Sequence, residues 1–239
     1  MWDEIGAFHR QGQDEKWWWT KARSEIVCEC LKRVVPCKIE ILEIGAGYGA
    51  MTDMLQKFGT VTAVEPYADA VSYLKDTFNM EAFQDTLETY TGTEEYDLVS
   101  CFDVLEHVED EQRALDKIES LIKDNGLLIL TVPAYMSLWS KQDEIDHHFR
   151  RYSRKELINV ISQYFTIKRA TYFNTLLFPV AVIDKLLFAR KKRSYSLEPN
   201  RFVNSILYAI FSVERFIAPL INLPFGVSIL VIAEKKQFK

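Results

Sequence analysis

The sequence predicts an α/β fold, with a doubly wound and mostly parallel sheet between layers of helices. Between residues 39 and 132, short apolar runs alternate with segments of helical periodicity. That alternation is typical of βαβ units. A glycine-rich turn follows the first apolar run, as in α/β folds that bind ligands at the carboxyl ends of their strands. A length of 239 residues suits a single domain, 1–239.

The elements of the first half are predicted in chain order. Residues 1–38 form a helical lead-in, and Pro36 stops its helix. The strands that follow are expected at Ile39–Ile44, Val61–Glu65, Leu98–Phe102 and Leu127–Val132. The helices between them are expected at Met51–Phe58, Ala68–Phe78 and Glu109–Ile122, the last of them ended by Asn125-Gly126.

The second half begins with a polar and aromatic loop over residues 134–152. Ser153 and Glu156 form a capping box that predicts a helix through about Gln163. Two late strands, Phe165–Tyr172 and Val227–Glu234, enclose two apolar helical segments, Leu176–Ala189 and Phe202–Leu220. A helical insertion of about 175–224 is therefore expected between the last two strands.

Composition excludes several classes of protein. A net charge of −5 and a pI of about 5.5 argue against a nucleic-acid partner. The four cysteines show no C-x-x-C pair and no zinc-type spacing with histidine, so we expect reduced thiols and a cytoplasmic protein. The N-terminus has no signal-peptide pattern, and no uncharged apolar run reaches the roughly 18 residues of a spanning helix.

The glycine-rich turn predicts a nucleoside site. Gly45, Gly47 and Gly49 allow the backbone to turn tightly and to approach a ligand closely. Glu65 ends the next predicted strand, where a carboxylate can accept hydrogen bonds from both hydroxyls of a ribose. Both features fall at the carboxyl edge of the sheet.

The turn also satisfies a dinucleotide fingerprint, since Gly45-x-Gly47-x-x-Ala50 has that spacing. A nicotinamide-dependent (NAD) oxidoreductase therefore stays open as an alternative. Glu43, immediately before the turn, disfavours a diphosphate and favours a cofactor with a positively charged sulfonium and ammonium group.

Four segments together resemble the class I S-adenosylmethionine-dependent methyltransferases, namely ILEIGAGYGAMTDML, AVEP, YDLVSCFDVLEHVED and GLLILTVP. They are most similar to the group that includes the ubiquinone-type O-methyltransferases and methyltransferase types 11 and 23. The resemblance covers roughly residues 15–175 and 224–235. It implies a seven-stranded sheet of order 3-2-1-4-5-7-6, with strand 7 antiparallel, and S-adenosyl-L-methionine as cofactor.

The resemblance also assigns parts of the cofactor to positions of this sequence. The three glycines would line its methionine and ribose part, and Asp85 would lie near the adenine amino group. The full set of predicted cofactor-binding residues is Glu43, Gly45, Gly47, Gly49, Glu65, Pro66, Asp85, Phe102 and Asp103.

Two histidines are candidates for acting on the methyl acceptor. His107 follows the fourth strand in the pattern Asp103-x-x-Glu106-His107, and His148 lies in the loop after the next strand. Either is predicted to be the catalytic base or an acceptor-orienting group. A second interpretation joins Asp103, Glu106, His107 and His148 into a metal site, so the presence of a metal is unknown.

Two charged or aromatic clusters allow a functional and a structural interpretation. A basic cluster after the fifth strand either holds an anionic acceptor or is simply solvated. It comprises Arg150, Arg151, Arg154 and Lys155. Trp17–Trp19, with Lys21 and Arg23, either cover the cofactor as a lid or pack an N-terminal helix.

The predicted insertion is apolar along one helical face and contains the basic run Arg190-Lys191-Lys192-Arg193. Residues 176–221 are therefore expected to touch a lipid surface or to cover a long apolar acceptor, unless they form a helical cap or a dimer interface. We accordingly expect O-methylation of a small-molecule, apolar or lipid-linked acceptor, by a cytoplasmic enzyme that is peripheral at the membrane. A non-catalytic, cofactor-binding membrane adaptor on the same fold is the remaining alternative.

Overall fold

A computed structural model describes residues 17–188 and 200–237. The basic run at 190–193 and the first part of the predicted lead-in lie outside the described residues. The strands are β1 (Ile39–Ile44), β2 (Gly59–Glu65), β3 (Glu81–Gln84), β4 (Tyr96–Phe102), β5 (Ile122–Pro133), β6 (Phe165–Phe173) and β7 (Ser228–Lys235). The α-helices are α1 (Trp18–Leu31), α2 (Thr52–Leu55), α3 (Ala68–Phe78), α4 (Glu111–Ser120), α5 (Lys141–Ile145), α6 (Arg154–Ile161), α7 (Phe178–Phe188), α8 (Arg201–Ser212) and α9 (Glu214–Ile217).

The seven strands form one sheet in the order β3-β2-β1-β4-β5-β7-β6. β7 runs antiparallel to both of its neighbours, and the other neighbouring pairs are parallel. The predicted strand order is therefore confirmed, with the helical insertion between β6 and β7. Because β1, β2, β4 and β5 are parallel, their carboxyl ends meet at one edge of the sheet.

The central strands are apolar along their length because helices cover both faces of the sheet. Ile41 and Leu42 of β1 are completely buried, as are Leu98 and Val99 of β4. Burial on both faces fixes the register of these strands. The sheet is therefore a rigid support for the loops at its carboxyl edge.

Several elements differ from the sequence-based expectation: the helix expected at Met51–Phe58 is shortened to α2, the one expected at Phe202–Leu220 is divided into α8 and α9, and α5 lies in the expected loop 134–152. β3 was missed because only Ala82 of its four residues is buried, so it has no apolar run. The helix expected to end at Asn125-Gly126 ends at Ser120 instead, and β5 already begins at Ile122. Asn125 has a left-handed conformation (φ 62°) within β5, so the Asn-Gly pair marks an irregularity in a long strand.

The insertion packs onto the N-terminal helix. Phe211 of α8 stacks on Trp19 of α1 with ring centroids 5.3 Å apart, and Trp19 also stacks on Phe173 at the end of β6. The side-chain oxygen of Asn204 accepts a hydrogen bond from the backbone N–H of Trp18 at 3.0 Å. The tryptophans thus pack a helix, which is the structural interpretation of that cluster. Among the described residues, no helix has the length and apolarity needed to cross a membrane.

Candidate active site

The loop after β1 has a backbone that only glycine adopts readily. Gly45, Gly47 and Gly49 have φ angles of 69°, 56° and 87°, a region that costs other residues free energy. A Cβ atom on Gly45 would also lie 2.6 Å from a methyl group of Val104. Both the backbone conformation and the close packing on Val104 therefore require glycine at position 45, and we call the loop of Gly45, Gly47 and Gly49 the glycine cradle.

Glu65 ties the end of β2 to this cradle. Its buried carboxylate accepts hydrogen bonds from the backbone N–H groups of Gly47 (2.8 Å) and Tyr67 (3.2 Å), one on each oxygen. Burial raises the pKa of Glu65, and the two N–H groups offset part of that rise. Each oxygen keeps a second acceptor position for a further donor.

Glu43 lies beneath the loop. It is buried and accepts a hydrogen bond from the hydroxyl of Thr52 at 2.5 Å. Burial raises its pKa to about 7. Glu43 thus connects β1 to α2 by a hydrogen bond beneath the glycine cradle.

Asp85 and Pro66 lie next to Glu65 along the same edge. The backbone N–H of Asp85 donates to the carbonyl of Glu65 at 3.2 Å, and the carbonyl of Pro66 accepts from the side-chain amide of Gln84 at 3.4 Å. The Asp85 carboxylate accepts from the N–H of Thr86 at 2.9 Å and so stabilises its own turn.

Asp103 is paired with Arg23, which belongs to the cluster of aromatic and basic residues on α1. Arg23 of α1 lies 2.6 Å from one carboxylate oxygen of Asp103, and the hydroxyl of Thr131 donates to the other at 3.0 Å. The guanidinium also lies over the ring of Phe102, and its buried Nε has no hydrogen-bond partner among the described residues. The sequence carried no specific signal for this contact, since Arg23 stood out only as one of two basic residues beside Trp17–Trp19.

His107 and His148, the two candidates for acting on the acceptor, lie next to each other. Their ring centroids are 4.6 Å apart in an edge-to-face arrangement. Potential ligand atoms of Glu106, His107 and His148 all lie within 4.8 Å of one another. Asp103, the fourth residue of the metal interpretation, instead faces Arg23.

Glu106 is completely buried, and neither of its carboxylate oxygens has a hydrogen-bond partner among the described residues. Burial and the nearby charge of Asp103 raise its pKa well above the usual range. An unpaired buried carboxyl group is costly, so Glu106 is either protonated or meets a positive group that binds at this site.

Asp143 was not predicted from the sequence, although it forms the centre of a hydrogen-bond network. Its buried carboxylate lies 2.9 Å from Nδ1 of His148 and accepts from Nε and a terminal nitrogen of Arg151 at 2.6 and 3.0 Å. Burial alone would raise the pKa of Asp143, but the bonds from His148 and Arg151 lower it well below its usual value.

The basic cluster does not form an open anion site. Arg151 is bound to Asp143, Arg150 contacts the carbonyl of Glu109 and the carboxylate of Glu111, and Arg154 donates to the carbonyl of Leu223. Each of the three guanidinium groups is thus engaged within the protein, and these contacts lend no support to the interpretation that the cluster holds an anionic acceptor.

The fold and this edge together define a class of protein. A glycine cradle, an acid at the end of the neighbouring strand and a histidine cluster beyond β4 all lie at the carboxyl edge of a doubly wound sheet. They are the features of an α/β enzyme that binds a nucleoside-containing cofactor.

Residues 18–168 match the family model described as a methyltransferase domain. The chain belongs to this family and is an S-adenosylmethionine-dependent methyltransferase. S-adenosyl-L-methionine is thus its cofactor, as predicted, and the oxidoreductase alternative is not supported.

Among curated proteins, the chain is similar to the ubiquinone biosynthesis O-methyltransferases of Glaesserella parasuis and Rickettsia canadensis. The first is 29% identical over 114 residues, which are 41% of this chain and 48% of the relative. The second is 33% identical over 100 residues, which are 39% of this chain and 42% of the relative. The matched region spans less than half the length of either relative.

Solved structures share the fold at low sequence identity. A putative methyltransferase from Haloferax volcanii, in complex with its Trm112 activator, has a TM-score of 0.63 at 13% identity and covers 99% of this chain and 96% of its own. A Burkholderia thailandensis N1-methyltransferase with bound S-adenosylhomocysteine has a TM-score of 0.60 at 14% identity, covering 98% of this chain and 87% of its own. The curated relatives are O-methyltransferases and this neighbour is an N-methyltransferase, so the fold does not select the acceptor atom.

Proposed function

We propose that this enzyme methylates a hydroxyl group of a small apolar or lipid-linked acceptor, with His148 as the base and His107 beside it orienting the acceptor. One observation carries the proposal. His148 is bonded through Nδ1 to the buried Asp143, and its ring lies against His107 at the edge that also carries the glycine cradle. A histidine held in this way has the other ring nitrogen available to take a proton.

The residues at this edge fit the cofactor. The positive φ angles of Gly45, Gly47 and Gly49 let the backbone of the cradle turn tightly beside a ligand, and Glu65 has acceptor positions for ribose hydroxyls. Asp85 lies beside Glu65 on the adenine side. We assign the methionine end to Phe102, Asp103 and Arg23, where the positive charge of the Arg23 guanidinium suits the carboxylate of the cofactor.

The bound cofactor supplies a methyl group on a positively charged sulfur. The protein then has two tasks, namely to align the acceptor oxygen with that methyl group and to take the proton from the oxygen. Alignment alone supplies much of the rate in such displacements. A general base adds about 10²–10⁴-fold when the acceptor is a hydroxyl, and this second contribution is assigned to His148.

Methyl transfer to paired acceptors tests this function. The pairs are phenols and the matching anilines, each with and without an alkyl chain. We expect turnover of the phenols, and we expect His148→Gln to lower kcat by about 10²–10⁴-fold. His147→Gln is the matched control, since His147 is the exposed neighbour, and it should retain turnover. Faster methylation of the anilines, or full activity of His148→Gln, would contradict the proposal.

A second role for the same cluster is favoured by one observation, the unpaired carboxylate of Glu106. Glu106, His107 and His148 offer the oxygen and nitrogen ligands that suit a divalent cation. Such a cation would lower the pKa of an acceptor hydroxyl. Calorimetric titration with Mg²⁺, Mn²⁺ and Zn²⁺ tests this role, and Glu106→Gln should abolish any binding. Unchanged turnover in EDTA, with no heat of binding, would exclude it.

The exposed face of the insertion supports a peripheral contact with an anionic lipid surface. Nine apolar side chains of α7–α9 and the residues that follow α9 are between 43% and 78% exposed, namely Val180, Ile183, Leu186, Phe202, Ile206, Val213, Phe216, Leu220 and Ile221. The exposed cations Lys21 and Arg201 lie on α1 and at the start of α8, and the basic run at 190–193 lies between α7 and α8 in the sequence. Apolar side chains flanked by cations suit anionic headgroups.

Vesicle sedimentation tests the lipid contact. The intact protein should sediment with vesicles containing phosphatidylglycerol and less with phosphatidylcholine alone. The triple variant Leu186→Ser, Phe202→Ser, Phe216→Ser should lose this binding. Phe83→Ser, which removes an exposed aromatic ring on β3 at the far edge of the sheet, should not. Equal absence of binding for intact and triple-variant protein would end the lipid proposal, and turnover on any acceptor would exclude the non-catalytic adaptor.

A further inference from the structure

We infer that Asp143 is a positioning residue that fixes the ring orientation and the tautomer of His148. The inference rests on the proposed role of His148, but it concerns a residue that no sequence motif indicated. Asp143 belongs to α5, five residues before His148, and its side chain is completely buried. The backbone N–H of His148 also donates to the carbonyl of Asp143 at 2.8 Å, so the loop returns the ring to this carboxylate.

The two carboxylate oxygens of Asp143 have separate partners. Oδ1 lies within hydrogen-bond distance of Nδ1 of His148 and accepts from Nε of Arg151. Oδ2 accepts from the backbone N–H and the hydroxyl of Ser140, at 2.7 and 2.9 Å, and from the terminal nitrogen of Arg151. Oδ2 therefore serves the capping box of α5, whereas Oδ1 is the oxygen that faces the histidine.

This arrangement determines which ring nitrogen of His148 carries the proton. An ionised carboxylate only accepts hydrogen bonds, and the two-pronged contact with Arg151 keeps Asp143 in that form. Nδ1 of His148 must then be the donor. In the neutral ring the lone pair is left on Nε2, which is the form required of a base or of a metal ligand.

The tautomer of His148 is measurable directly by nitrogen-15 spectra of the histidine rings. The chain has four histidines, so His→Gln substitutions assign each signal. At about pH 8, where an ordinary histidine is neutral, we expect His148 to be protonated at Nδ1. A ring protonated at Nε2 but not at Nδ1 in the unmodified protein overturns the inference, and this measurement needs no variant that has to fold.

Asp143→Asn adds the functional test. An asparagine amide has an acceptor oxygen and a donor nitrogen, so it cannot accept hydrogen bonds from His148, Arg151 and Ser140 on both atoms. The nitrogen-15 signal of His148 should therefore move toward the form protonated at Nε2. Methylation of a phenol should fall about 10²-fold or more in kcat, while the affinity for S-adenosylhomocysteine stays within about twofold. Ser140→Ala is the matched control, because it removes a bond to the same carboxylate through Oδ2 and should leave the tautomer unchanged.

The outcomes separate this inference from the proposed function. A folded Asp143→Asn protein with an unchanged His148 tautomer overturns the positioning role. If His148→Gln keeps full kcat, the proposed base is wrong, but the tautomer spectra still decide whether Asp143 orients the ring. A purely structural role for Asp143 would change the melting temperature without moving the histidine signals.

Discussion

The guanidinium of Arg23 lies 2.6 Å from the carboxylate of Asp103, although 80 residues separate them in the sequence. The contact joins α1, at the start of the described chain, to the end of β4 at the cofactor edge. A second guanidinium nitrogen of Arg23 donates to the hydroxyl of Thr131 at 3.2 Å. Helix α1 therefore contributes directly to the candidate site.

Replacing Arg23 should weaken cofactor binding. Arg23→Gln removes the positive charge opposite Asp103 and the donor assigned to the carboxylate of the cofactor. Hydrogen bonds to charged groups contribute about 1.5–3 kcal/mol, so the Kd for S-adenosylhomocysteine should rise about 10–100-fold in calorimetry. Arg33→Gln removes an exposed charge just beyond the same helix and should change the Kd little. Equal Kd values for the two variants would remove Arg23 from the site.

Gly45→Ala should damage the cradle for two separable reasons. The positive φ of 69° costs a residue with a Cβ about 1–3 kcal/mol, and the new methyl group would lie 2.6 Å from Val104. We expect a lower melting temperature and weaker binding of S-adenosylhomocysteine. Adding Val104→Ala should relieve the contact but not the backbone strain, so the double variant should recover only partly. Full recovery would show that φ contributes nothing.

The central strands of the sheet and the glycine-rich loop after β1 could be predicted from the sequence. Burial on both faces makes β1, β2, β4 and β5 continuous apolar runs. The sequence was insufficient for β3, where only Ala82 is buried. It also misplaced the start of β5, because Asn125-Gly126 is the usual end of a helix and here lies inside a strand. Local sequence patterns do not reveal β3 or the start of β5, because pairing with the neighbouring strands of the sheet determines both.

The histidines of the site were found from their type and place in the chain, whereas their partners were not. Asp143 lies in a polar stretch with several other acids, and nothing local indicates that it is the one that is buried against His148. Arg151 was similarly grouped with Arg150 and Arg154 as a basic cluster. The partner of each guanidinium depends on the path of the loop after β5. That path is determined by contacts between residues far apart in the sequence.

Glu43 should make the stability of the protein depend on pH. Burial raises its pKa from about 4.5 to about 7, so between these values the unfolded chain releases a proton that the folded protein keeps. The contribution of Glu43 is therefore greatest below about pH 4.5, decreases as pH rises to about 7, and stays low above that. The full change is roughly 3 kcal/mol. The difference in free energy of unfolding between the intact protein and Glu43→Gln, measured in urea from pH 5 to 8, should follow this decrease. A difference that is constant with pH would mean that Glu43 is ionised in the folded protein throughout.

Asn204→Ala should test whether the insertion supports the cofactor site through α1. Trp17, at the N-cap position of α1, provides no side-chain cap, and Asn204 of α8 accepts the N–H of Trp18 instead. Loss of a capping interaction costs about 1 kcal/mol, so the melting temperature should fall by several degrees. Because α1 also carries Arg23, binding of S-adenosylhomocysteine should weaken as well. Asn159→Ala, at an exposed position of α6, is the control and should change neither quantity. A lower melting temperature with an unchanged Kd would indicate that α8 stabilises α1 without positioning Arg23.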